Sequence, residues 1–323
     1  MSSEALVAPY QQLRRDTLAR DRGLREKVMS LDAAARLVRD GEHVAIGGCT
    51  LSRTPIAMIW ALIRAEKKGL TISRSITSTE GDLLLAAGVA NRVITSWFSQ
   101  GIVWGISKVM RHFIENKLAR FDEWSHMSIG LRYRAGAMGI PFIPSRSMLG
   151  SDVGQRVGDE LKSMICPFTG ERLAVLPALN PDLALIHVQR CDAFGNAQLD
   201  GLQFMDIDIA MAAKRVILTT ERIISNDQIR RQPDLTRIPF FTVEAVVEAP
   251  IGCAPHECYG AYEPFFAALD DYAQRLAKDP VAGCRRYLEE FYYGPKSWSE
   301  YLGKLGIEAV LDACRRGRSV HND

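Results

Sequence analysis

Four stretches of the chain and two lone histidines carry residue types able to do chemistry. The first is Gly47-Gly48-Cys49, with Arg53 in the same loop, directly after the short apolar run His43–Ile46. Paired glycines let backbone N–H groups approach a phosphate, a carboxylate or a developing oxyanion. The planar fork of Arg53 suits a carboxylate or a phosphate. The segment lacks G-x-G-x-x-G and G-K-[ST], so it is neither a dinucleotide fingerprint nor a P-loop. A plain tight turn and a surface arginine satisfy the same residues, and Cys49 reads equally as a small buried hydrophobe.

The second is Ser78-Thr79-Glu80-Gly81-Asp82. A carboxylate at a strand's carboxyl end can serve as acid, base or nucleophile. Asp and Glu also cap helices, which is the commoner role, and a helical pattern follows. The third, residues 96–105, sets Trp97, Phe98 and Trp104 among glycines. Such amphipathic aromatics line pockets, or fill a core or an interface between chains. His126 and His187 stand alone, with no Ser or Cys nucleophile motif around them, and read as satisfied core or interface histidines. Last, Cys253-Ala-Pro-His256-Glu-Cys258 has the wrong spacing for a zinc knuckle, and no second Cys or His pair closes a four-ligand set, so no metal is expected.

The elements that must position these residues alternate. Helical patterns at 33–39, 55–68, 83–90 and 205–213 are interleaved with strand patterns at His43–Ile46, 70–77, 92–96, 172–176, Leu183–Val188, 215–219 and 241–247. That rhythm predicts an α/β fold: an open, doubly wound, mainly parallel sheet with flanking helices, on which ligands sit at the strands' carboxyl ends. From about residue 263 helical patterning dominates. Residues 1–28 form a polar, Arg-rich extension, read as a surface helix, an arm on a neighbouring chain or a tail. Residues 29–323 read as one domain.

The composition suits an ordinary globular protein rather than a polyelectrolyte binder. Of 323 residues, 47% are hydrophobic and 24% charged, and 40 Lys+Arg against 38 Asp+Glu leave a formal charge of +2. Nucleic acid and membrane lipid are therefore not expected partners. Seven scattered cysteines argue against a disulfide framework, and no apolar run approaches a membrane span, so a cytoplasmic location is expected.

The order of segments then resembles a known family. Residues 41–48 with Arg53 and Pro55, followed by 135–144, 149–151, 183–187, 206–213, 221–225, 229–231, 255–260 and 301–306, are similar in collinear order to the A (alpha) subunits of family I CoA-transferases, of the glutaconate type in particular. The likeness covers about residues 28–306. It implies an acyl-CoA:carboxylate CoA-transferase that pairs with a B-type subunit, as a heterodimer, heterotetramer or hetero-octamer. It implies a CoA thioester as substrate and no tightly bound cofactor. In such enzymes a glutamate of the B-type partner attacks the thioester and becomes a glutamyl-CoA intermediate, while the A-type chain supplies pocket wall.

Here Glu80 lies one position out of phase with that glutamate, so the nucleophile is not transferred to it, although Glu80 and His126 remain catalytic candidates. Gly47, Gly48, Cys49, Arg53, Ser78, Trp97 and Trp104 are the expected substrate- and CoA-binding residues. Cys49 stands where the relatives carry an aromatic residue. The aromatic 97–104 segment suggests a bulkier or more apolar acyl group. The same scaffold also supports a ring-cleaving C–C hydrolase, a decarboxylase, or a non-catalytic acyl-CoA-binding subunit.

Overall fold

The computed structural model describes residues 10–319. Its centre is a seven-stranded, all-parallel sheet: β1 (His43–Ile46), β2 (Leu70–Ser73), β3 (Ala90–Thr95), β4 (Arg120–Glu123), β5 (Leu183–Val188), β6 (Arg215–Thr220) and β7 (Val243–Glu248), in the spatial order β7-β6-β5-β1-β2-β3-β4. The chain builds outward from β1 through β4, then returns beside β1 and builds the other way. The reversal falls between β1 and β5.

Parallel strands need crossovers on their faces, so the central strands are buried on both sides. β1 is buried at all four positions and β5 at all six. Alternation sends Val44, Ile46, Leu183 and Leu185 to one face, under the helices Leu31–Leu37, Ile56–Arg64 and Thr79–Ala86 and the C-terminal helices. Ala45, Ala184, Ile186 and Val188 face the other layer, under the helices His126–Met138 and Asp206–Ala212. This is the period-2 side-chain rule acting on a two-faced sheet.

Several boundaries differ from those read in the sequence. The run 70–77 breaks after Ser73, and Ile76–Thr77 pairs separately with Trp97–Phe98. The helix placed at 83–90 starts earlier, at Thr79, and Ala90 already belongs to β3. Arg172–Pro177 is a strand, but it joins a separate antiparallel sheet with Phe142–Ser145 and Lys162–Ile165. β4 has the polar sequence Arg-Phe-Asp-Glu and escaped the apolar pattern, because an edge strand needs little apolar surface.

Helices at Phe266–Arg275, Pro280–Leu288, Trp298–Leu305 and Ile307–Ser319 form the expected helical C-terminal region. Of the N-terminal extension, Tyr10–Leu18 is a helix, and Lys27 and Met29 exchange backbone hydrogen bonds with Val246 of β7. Residues 1–9 lie outside the described residues. Among the described residues no helix is long and apolar enough to cross a membrane.

Candidate functional site

The crevice between the carboxyl ends of β1 and β5 is the topological switch point, where open α/β sheets take ligands. The glycine segment sits in it. Gly47 N–H donates to Leu185 O (2.8 Å), and Gly48 N–H donates to Asp206 Oδ1 (2.6 Å). Asp206 begins the helix Asp206–Ala212, is fully buried, and pairs through Oδ2 with Arg53 Nη1. Arg53 Nη2 donates to Leu202 O (2.5 Å), and its guanidinium lies 5.5 Å from the Phe204 ring centre. Burial alone would lower the Arg53 guanidinium, but Asp206 beside it holds it above its usual value.

The anion held by this loop is therefore the chain's own carboxylate. The sequence reading assigned Arg53 to a substrate carboxylate or CoA phosphate; the structure commits it to Asp206, with no exposed surface. Both glycines are required sterically. A Cβ on Gly47 would stand 2.7 Å from Asp206 Oδ1, and one on Gly48, at φ +69°, would stand 2.1 Å from Ser52 O. Cys49 is nearly buried, its thiol pushed up by desolvation, with Ser75 Oγ 4.0 Å from its Sγ.

Arg74, just past β2, is the buried hinge of the next loop. Its Nε donates to Gly47 O (3.1 Å), its Nη1 to Thr50 O (3.0 Å) and Glu80 Oε1 (2.7 Å), and its Nη2 to Thr54 Oγ1 (3.0 Å). Glu80 is also fully buried, and its Oε1 accepts the Ser78 N–H (2.9 Å) at the head of the helix Thr79–Ala86. The carboxylate thus caps a helix and neutralises Arg74. In this chain Glu80 does not face solvent as a nucleophile must, and Ser78 is equally enclosed. Asp82, two residues on, accepts from Ser107 Oγ, Gln100 Nε2 (3.0 Å) and Tyr272 Oη (3.1 Å). Burial raises its carboxyl to about 6, with those donors opposing the shift.

The aromatic segment splits. Trp97 and Phe98 stack (6.5 Å, 23°) and open a cavity of about 630 Å³ beyond β3 and β4, walled by Ile114, Phe121 and Trp124. Its rim charges are paired, Arg120 with Asp122 (2.8 Å) and Glu160 (2.9 Å). Trp104 turns elsewhere: Nε1 donates to Asp270 Oδ1 (2.6 Å), and the ring stacks on Phe266. The two tryptophans therefore do not share this cavity. His126 is exposed at the first turn of its helix, with Nδ1 3.4 Å from Ser96 Oγ, a cavity-lining residue. Ile102, Val103 and Ile106 stand exposed in the same loop, and Leu202, Phe204 and Tyr259 are exposed beyond the switch point.

Two residues central to this geometry, Asp206 and Arg74, give little sign of it in the sequence. Asp206 carries only the ordinary signal of an acid at a helix start, 158 residues from its partner Gly48. Arg74 reads as one polar residue at a strand end.

The coenzyme A transferase family model matches residues 28–249. The chain is 33% identical over 305 residues to the A chain of glutaconate CoA-transferase from Acidaminococcus fermentans, covering 88% of this chain and 94% of that one. It is 34% identical over 281 residues to the A chain of 3-oxoadipate CoA-transferase from Pseudomonas knackmussii, covering 85% and 96%. An uncharacterized protein of Archaeoglobus fulgidus is 36% identical over 300 residues, but there this chain spans only 66% of the relative's length. The crystal structure of the Acidaminococcus fermentans glutaconate CoA-transferase superposes with a TM-score of 0.85 and 31% identity, over 89% of this chain and 95% of that one.

Proposed function

The chain belongs to the coenzyme A transferase family, and from that premise we propose that it is the A-type component of a heteromeric acyl-CoA:carboxylate CoA-transferase whose catalytic glutamate is supplied by a B-type partner. The observation that carries this reading is the enclosure of Glu80. The acid nearest a strand-end nucleophile position in this chain is locked between Arg74 and the Ser78 N–H.

In the proposed cycle the partner's carboxylate attacks the thioester carbonyl and CoA thiolate leaves, giving a mixed anhydride. The thiolate then attacks the glutamyl carbonyl, releasing the first acid and leaving glutamyl-CoA. The acceptor carboxylate attacks that thioester, and the same two steps run in reverse to deliver the new acyl-CoA. Two exchanges between matched leaving groups replace one transfer between poor nucleophiles. This chain's part is to bind and orient. The cavity behind Trp97 and Phe98 takes the apolar acyl group, with His126 at its rim. The loop of Gly47 and Gly48, fixed internally by Asp206 and Arg53, presents Cys49 and its neighbours at the switch point. The exposed apolar residues 102, 103 and 106 form the face on which the partner closes the site.

The test is to co-purify the chain with its B-type partner, supply acyl-CoA and a labelled carboxylic acid, and follow label into acyl-CoA. Borohydride reduction during turnover should mark a glutamate of the partner and none in this chain. Release of free CoA or CO2 without transfer would overturn the reading in favour of a hydrolase or a decarboxylase.

A further inference from the structure

The loop after β7 brings a second histidine to the switch point. Its cysteines, Cys253 and Cys258, lie against His187 of β5. His256, between them in sequence, reaches the glycine loop instead. Its Nδ1 is 2.8 Å from Thr54 Oγ1, one residue past Arg53, and its Nε2 is 2.6 Å from Thr79 Oγ1, at the head of the helix that carries Glu80. All three side chains are buried. We propose that His256 is a positioning residue: it clamps the glycine loop, residues 47–54, to the head of the helix Thr79–Ala86 and so fixes where Cys49 stands at the switch point.

The hydrogen bonds allow one consistent set of protons. Burial and the charge of Arg74 push the imidazole down to about 3, so the ring is neutral and offers one donor and one acceptor. With the proton on Nδ1, every contact is made. Nδ1–H and Arg74 Nη2 (3.0 Å) both donate to Thr54 Oγ1, and the Thr54 hydroxyl donates to Thr50 O (3.1 Å). Nε2 then accepts the Thr79 hydroxyl. The other tautomer would draw the Thr54 hydrogen away from Thr50 O. A neutral ring with both nitrogens occupied has no free position for a proton from substrate, so it acts by holding other groups.

The clamp has a fixed base. Cys253 N–H donates to Tyr262 Oη (2.9 Å), and Ala254 O accepts from Tyr301 Oη (3.1 Å). Two backbone bonds run beside it, Arg53 N–H to Glu257 O (2.9 Å) and Glu257 N–H to Leu51 O (2.9 Å). Those bonds and Arg74 keep the loop in place as a whole. Removing the imidazole therefore frees the Thr54 and Thr79 hydroxyls and loosens the segment around Cys49, without taking away every tie.

The test reads the loop first and turnover second, because only the kinetic consequence rests on the transferase reading. In the full chain, iodoacetamide labelling of Cys49, followed by peptide mass spectrometry, should be about tenfold faster in His256→Ala than in wild type. Cys191, buried in another strand pair, should stay unlabelled. His256→Gln keeps a donor and an acceptor and should return labelling close to wild type. Thr79→Val removes one anchor without touching the ring and should also speed labelling, which decides the matter if His256→Ala folds poorly. With the partner present, His256→Ala should lower kcat about tenfold or more while KM for acyl-CoA moves less than threefold, and His256→Gln should recover most of the loss. Cys49 labelling within twofold of wild type in both His256→Ala and Thr79→Val would overturn the proposal, as would His256→Gln labelling as fast as His256→Ala. A wild type without transfer would instead defeat the transferase reading and leave the labelling to judge the clamp.

Discussion

Asp206 shows how a single side chain can decide what a motif does. A strand followed by two glycines and an arginine is a ready anion site, and here the anion is built in. Asp206 and Arg53 have no exposed surface, so removing one strands the other as an unpaired buried charge. Asp206→Ala should destabilise the chain by about 3–5 kcal/mol, read by chemical denaturation. Asp82 makes a prediction in pH. Its buried carboxyl titrates at about 6 rather than near its ordinary 3.8, so between those values the folded chain holds a proton that the unfolded chain has lost. Stability from this group is full below about pH 4 and falls as pH rises through 6, by on the order of 3 kcal/mol. Denaturation midpoints of wild type and Asp82→Asn across that range should show the downward slope in the former and its loss in the latter.

At the scale of elements, the 96–107 segment does three jobs with adjacent residues. Trp97 and Phe98 wall the cavity, Trp104 ties the loop to Phe266 and Asp270, and Ser107 fixes it to Asp82. The first role is separable from the others. Trp97→Ala should raise KM for the acyl-CoA roughly tenfold or more, the loss of one aromatic contact of about 1.5–3 kcal/mol, with little change in thermal stability because Trp97 is half exposed. An unchanged KM in steady-state kinetics would remove this cavity from the acyl site. The helix Thr79–Ala86 makes the complementary case. Glu80→Gln keeps the cap acceptor but leaves Arg74 without a countercharge, so it should lower stability while the partner's glutamate is still trapped as the intermediate.

At the scale of the molecule, the sheet buries both faces under helices and leaves its carboxyl edge carrying exposed Ile102, Val103 and Ile106. Isolated exposed apolar residues are ordinary, but three in one loop at the ligand end of a sheet suit an interface. Ile102→Asp with Val103→Asp should weaken association with the B-type partner by at least about tenfold, measured by titration calorimetry. The circular dichroism and melting temperature of the isolated chain should not change.

What the sequence settled by itself was whatever depends on local order. Alternating apolar runs and helical patterns fixed a parallel α/β sheet, since a strand buried on both faces must read as Val44-Ala45-Ile46 or Leu183-Ala184-Leu185 do. The collinear motifs fixed the family, and the phase of Glu80 against Gly81 already argued against a nucleophile there. Tertiary structure decided which groups meet. Asp206 reaches Gly48 across 158 residues, and His187 rather than His256 faces Cys253 and Cys258. Trp97 and Trp104, seven positions apart in one loop, turn to different neighbours. The physical reason is the same in each case. A parallel sheet joins strands through long crossovers, so residues at neighbouring carboxyl ends come from distant segments, and spacing along the chain carries no record of that proximity.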